Sequence, residues 1–219
     1  MAYALVANTT NFHASGGATN TSSAITTTGA TLLIVVVADD LTRTTTLTDS
    51  KGNVFTSRAL NTAGVNVRVQ VYECLNPIVG TGHTFTGTHS GSQFSYFAIV
   101  AMAFTGNKTT APFDQSTSAV TSSGTSLASG SITPSVNNAL VIAALGCDIL
   151  TGPTAGLTLV DYIAAAGGQS WGLCVQYALQ TSAVPVNPTW TWTTSTDTTA
   201  VVTSWKSSVT GQLLRASSM

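Results

Sequence analysis

The 219-residue chain carries a net charge of −1 from seven basic and eight acidic side chains, while Thr and Ser together supply 63 residues and Gly 19. So few cations leave no electrostatic footprint for a nucleic acid or an anionic membrane, both of which are excluded as partners, because counterion displacement needs Lys and Arg gathered on one face. A hydrophobic content of 43%, much of it β-branched, excludes a disordered chain and supports a packed core.

In chain order, the first residues, MAYALVANTTNF, lack the basic flank and long apolar centre of a secretory leader. No apolar run approaches the ~18 residues of a membrane span. Synthesis in a cytoplasm, without export by that route, is the expectation. Short apolar runs broken by Gly, Pro, Asn and Ser then recur with no sustained helical period, which predicts an all-β chain. Strands are predicted near 24–28, 32–38 (LLIVVVA), 44–48, 54–57, 65–74, 83–88 and 94–104. The DSKGN stretch at 49–53 reads as a turn, since Asp and Asn satisfy local backbone groups and Gly accepts positive φ. A small-residue stretch at 116–130 reads as a linker or an exposed crossing strand. Further strands follow near 129–134, 140–145, 157–163, 170–179, 188–194 and 200–206.

The second set repeats the order of the first. Leu33 answers to Leu140, Tyr72 to Tyr177, Phe85 to Trp190 and Phe104 to Trp205, at a nearly constant offset of about a hundred residues. A duplicated β-unit can bury its apolar faces against its own copy. The expected architecture is one domain over 1–219, a jelly-roll-like or Ig-like β-sandwich of two sequence-related halves (about 24–106 and 129–206) with a tail at 207–219. The alternative is a separate Ig-sized sandwich for each half.

Candidate chemistry is sparse. Cys74, Cys147 and Cys174 form no CxxC pair and read as buried free thiols. His83 and His89 would stand roughly 20 Å apart in a continuous strand, too far to share a metal, and read as structural or exposed. Asp39 and Asp40 end one apolar run and Asp148 follows its counterpart. Carboxylates at loop mouths can hold Ca²⁺ or serve acid–base chemistry, yet no calcium-loop pattern or glycosidase pair accompanies them, and Asp at a strand end more often starts a turn. No metal or cofactor is expected.

Trp190 and Trp192 alternate with Thr and so point to one face. If exposed, they would form a stacking platform for a sugar or a protein; if buried, they fill the core, which the match of Trp190 to Phe85 favours. The tail places Leu213 and Leu214 beside Arg215, a composition suited to docking on a partner. Three lysines in the whole chain leave little charge to protect sheet edges, which favours a building block of an assembly.

These Thr/Ser/Gly-rich strands, the paired stretches LLIVVVADD and ALVIAALGCD, and VQVYECLNPIVGTGHTFT with VQYALQTSAVPVNPTWT, together with TDSKGNVFT, resemble the β-sandwich proteins of tailed-phage virions: capsid decoration or cement proteins and head-fibre or tail modules. The resemblance implies a non-enzymatic virion protein that binds the major capsid protein or another virion protein, often as a homo-oligomer. A carbohydrate-binding module, or a receptor-binding tail or fibre module with an exposed aromatic face, is the alternative.

Overall fold

Three strands are apolar at almost every position and a fourth, half apolar, is buried along its whole length, and only strands covered on both faces satisfy that pattern. They are β3 (Leu32–Asp39), β8 (Phe97–Thr105), β11 (Ala139–Cys147) and β15 (Thr198–Trp205). The computed structural model describes residues 2–13, 18–39, 45–63, 67–90, 97–147, 157–163, 172–192 and 197–208, of which the side chains at 63, 147 and 158–163 are left undescribed, and shows how both faces are covered. The chain is an all-β sandwich in four layers.

The remaining strands are β1 (Ala4–His13), β2 (Thr19–Thr21), β4 (Thr45–Asp49), β5 (Thr56–Ala63), β6 (Val67–Leu75), β7 (Phe85–His89), β9 (Phe113–Thr121), β10 (Ser126–Ala128), β12 (Thr158–Ile163), β13 (Gly172–Gln180) and β14 (Thr189–Thr191). Two five-stranded antiparallel sheets, in the orders β1-β8-β3-β6-β5 and β9-β15-β11-β13-β12, form the two middle layers. The sheet β2-β7-β4 covers the outer face of the first, and the pair β10-β14 covers the outer face of the second. Read in chain order, the second sheet follows the strand order of the first.

Alternation along each buried strand divides the apolar residues between layers. Leu32, Ile34 and Val36 of β3 meet Leu140, Ile142 and Ala144 of β11 in the central layer, with Phe104 and Trp205 beside them. Leu33, Val35 and Val37 turn outward to Phe85, and Ala143 and Leu145 turn outward to Trp190 and Trp192. Each middle sheet therefore has two dry faces, where a simple two-layer sandwich would leave one face wet.

Several expectations are corrected. The run 116–130 is not a linker: it holds most of β9, a half-exposed edge strand of the second middle sheet paired along its length with β15, and then β10 of the outer pair. The polar N-terminal stretch forms β1, paired with β8. The segments at 24–28 and 129–134 make only the isolated bridges Ile25↔His83 and Ile132↔Val186. The tyrosine landmarks face different layers: Tyr72 sits opposite Val35 and points outward, whereas Tyr177 sits opposite Ile142 and packs edge-on against Phe104 at 5.7 Å in the centre. The residues opposite Leu32 and Leu140 are Leu75 and Leu179, an offset one residue shorter than the tyrosine match, and a one-residue slip flips a side chain through the sheet.

Candidate docking end of the sandwich

The two middle sheets share one end, where β3 and β11 begin and β6, β8, β13 and β15 finish. There Asn107 bridges Ser207, Lys108 N–H donates to Lys206 O at 2.9 Å, and Ser208 N–H donates to Gly106 O at 2.8 Å. Five of the seven large aliphatic side chains exposed among the described residues lie at this end: Val6, Val54, Ile78, Leu179 and Val184. So do all three lysines, Lys51, Lys108 and Lys206.

The DSKGN turn builds the most prominent part of it. Asp49 accepts hydrogen bonds from Lys51 N–H (3.0 Å), Asn53 N–H (2.9 Å) and Asn53 Nδ2 (2.6 Å), and its Oδ2 lies 2.8 Å from His83 Nε2. Gly52, at φ 78°, lets the chain close on the carboxylate. His83 Nδ1 lies 2.9 Å from Thr27 Oγ1, which accepts from Gly80 N–H at 3.1 Å. Burial pushes the Asp49 carboxyl up, but the hydrogen bonds from Asn53, His83 and Lys51 outweigh it and hold the group below the usual carboxylate range. The Asn53 amide then grips the neighbouring loop, accepting from Ile78 N–H at 2.6 Å and donating to Ile78 O at 3.0 Å. Ile78, bound by this amide, and Val54, next to Asn53 in the chain, are 61% and 84% exposed on the backbone that these bonds brace. Lys51 Nζ donates to Thr81 O at 3.0 Å next to them.

Carboxylates at this end are already engaged. Asp114 accepts from Ser135 N–H and Oγ at 2.7 and 2.6 Å and lies 3.4 Å from Lys206 Nζ. Burial raises its pKa, and these partners together bring it below the ordinary range. Glu73 is buried between the guanidinium of Arg58 and the indole of Trp205.

The residues singled out from sequence are placed as follows. Trp190 and Trp192 are buried in the outer layer of the second half, and Trp190 Nε1 donates to Ser129 Oγ at 2.9 Å, so neither offers a face to a sugar or a protein. Asp39 is buried, with its Oδ1 2.6 Å from Arg68 Nε and its Oδ2 in contact with Thr45 Oγ1 and Arg68 Nη2. The guanidinium thus grips both oxygens of the carboxylate in a two-point, charge-assisted pair. His89 Nδ1 stands 3.6 Å from the same carboxylate, and Tyr72 Oη, its pKa pushed up to about 12 by burial, donates to Thr45 O at 2.9 Å. His83 and His89 thus each join an Asp, at opposite ends of the sheet β2-β7-β4. Cys74 and Cys174 are buried free thiols, and burial pushes Cys74 up to about 11. Asp40, Asp148, Leu213, Leu214 and Arg215 lie outside the described residues.

Sequence reasoning found the turn at 49–53 but not the exposed pair beside it. Val54 and Ile78 each stand before a second apolar residue, Phe55 and Val79, that packs on the core, and nothing local says which member of each pair turns out. No protein-family model, curated protein or solved structure matches this chain.

Proposed function

We propose that this chain is a non-enzymatic structural protein that docks on a repeating protein surface through the end carrying Val54 and Ile78. The observation that carries this reading is the bracing of those two aliphatic side chains in solvent by the Asp49–Asn53–His83 network. A flexible loop would let them fold back; a rigid one keeps apolar area ready for a partner and lowers the ordering cost of binding. The resemblance to tailed-phage virion proteins supplies the narrower form: a capsid decoration or cement protein, located in the virion, with the major capsid protein or another virion protein as its partner. The carbohydrate-binding and receptor-binding alternatives needed an exposed aromatic face, and burial of Trp190 and Trp192 removes the one considered.

The test is co-sedimentation with particles purified from cells that express the chain. The intact protein is expected to travel with particles at a fixed stoichiometry. The double variant Val54→Asp/Ile78→Asp is expected to melt as the parent does but to stay in the supernatant, because two carboxylates cannot enter an apolar contact unpaired. Particles that never carry the chain, or that carry the variant equally well, overturn the reading.

A further inference from the structure

Soluble sheet proteins interrupt exposed edges with bulges, charges or proline, since an open row of N–H and C=O groups templates another strand. Among the four edge strands of the two middle sheets, β1 is bulged between Leu5 and Ala7, β5 between Ser57 and Ala59 with Arg58 at the bulge, and β12 between Leu159 and Asp161. In β9 the register shift is confined to the start, next to the Trp205–Phe113 pair. From Gln115 to Thr121 (QSTSAVT) the strand runs in regular register with no charge, proline or glycine. It is the one unguarded long edge among the described strands of those sheets.

The direction of its open groups follows from Asn61. This side chain on β5 donates to Ala119 O at 3.0 Å and also reaches Ala200 O at 3.5 Å. Ala119 and Ala200 are register partners, so two carbonyls this close to one nitrogen must both lie between the strands, which makes them a hydrogen-bonded pair. Alternation then turns the N–H and C=O groups of Ser116, Ser118 and Val120 to the open side.

We infer that β9 is a self-association edge, pairing antiparallel with β9 of a second copy about a two-fold axis at Ser118. The segment is self-complementary in this arrangement. Ser118 meets its own counterpart, Ser116 of each copy meets Val120 of the other, and all six open residues fall in hydrogen-bonded pairs with no like charges opposed. A two-fold contact uses the same patch on both copies. The exposed Val120 side chain also has somewhere to go: a cleft of ≈ 370 Å³ between β5 and β9, lined by Arg58, Ala59, Leu60 and Ser116 to Ser118, opens beside Ser116, where Val120 of the second copy arrives. The two middle layers of one copy would continue into those of the next. This surface is distinct from the docking end and stands or falls separately from it.

Sedimentation velocity over a dilution series of the intact protein, with amide hydrogen exchange on the same samples, tests the inference. The expected result is a dimer that dissociates on dilution, with the amides of Ser116, Ser118 and Val120 gaining protection as concentration rises. Ser118→Lys, which opposes two cations at the axis, and Ser118→Pro, which removes only an outward N–H, are expected to give folded monomers. Val6→Lys on β1 and the Val54→Asp/Ile78→Asp variant are expected to remain dimeric. A parent protein monomeric at every concentration, exchange at the three amides that ignores concentration, or Ser118 variants that still dimerise each overturn the inference.

Discussion

The indole Nε1 of Trp205 donates to Glu73 Oε2 at 2.6 Å, joining the last strand of the second middle sheet to the fourth strand of the first. Glu73 is otherwise bound by Arg58, whose guanidinium lies 5.0 Å over the ring of Phe113, itself edge-on to Trp205 at 5.8 Å. One carboxylate, one cation and two aromatic rings thus close a polar circuit at the margin of the central apolar layer. Replacing Trp205 by Phe keeps most of the volume but leaves Glu73 Oε2 buried without its donor, a loss expected to cost about 1–3 kcal/mol. Urea unfolding measures it. A midpoint unchanged from the parent would show the carboxylate to be satisfied elsewhere.

The two halves are expected not to fold apart. Each middle sheet owes one of its dry faces to the other, so residues 1–111 and 112–219, expressed alone, would expose Ile34, Val36, Val100 and Met102 in one case and Leu140, Ile142 and Val201 in the other. The division falls before β9 because that strand belongs to the second sheet. Each fragment is expected to aggregate or to melt without cooperativity, and size-exclusion chromatography with calorimetry shows which. Two soluble fragments with separate sharp transitions would establish independent domains.

Gly87 is expected to tolerate no side chain. A Cβ there would lie 2.1 Å from the Phe97 ring, which fills the space above β7. Gly87→Ala should destabilise the fold by about 1–3 kcal/mol through overpacking, and Phe97→Leu in the same chain should relieve part of that loss. In the other half the position two residues beyond the outer aromatic is Trp192 where the first has Gly87, and the position opposite Cys147 is Thr198 where the one opposite Asp39 is Phe97. Large and small have exchanged places between two strands, and a double-mutant cycle measures that coupling.

The DSKGN turn predicts acid sensitivity. Asp49 and Asp114 have pKa values lowered in the folded protein, so the unfolded chain binds protons more readily and stability falls as pH drops. Their contribution is complete above the unfolded carboxylate value of about 3.9 and is lost as pH falls through their lower folded values. Asp49→Asn is expected to lower the melting temperature at neutral pH and to flatten its decline between about pH 5 and 2. A variant whose melting temperature declines as steeply as the parent's would assign the acid sensitivity to other groups.

The sequence by itself determined the all-β class, because short apolar runs, many rich in β-branched residues, recur between polar and turn-forming stretches without a sustained helical period. It also determined the turn at 49–53, whose Asp, Gly and Asn act on their own backbone, and the inward placement of Leu32 to Val37, which apolarity alone enforces. It did not determine the number of layers: a strand dry on both faces reads the same whether a large sheet or a two-stranded ribbon covers it. Nor could it place β9, since QSTSAVT has the composition of a linker and becomes a strand only because β15 offers it a ladder. The partnership of Asp49 with His83 and of Glu73 with Trp205, the burial of Trp190 and Trp192, and the exposure of Val54 and Ile78 were likewise decided by tertiary structure. Each depends on which segments, distant in the chain, the stacked sheets bring into contact, and no local pattern encodes that choice.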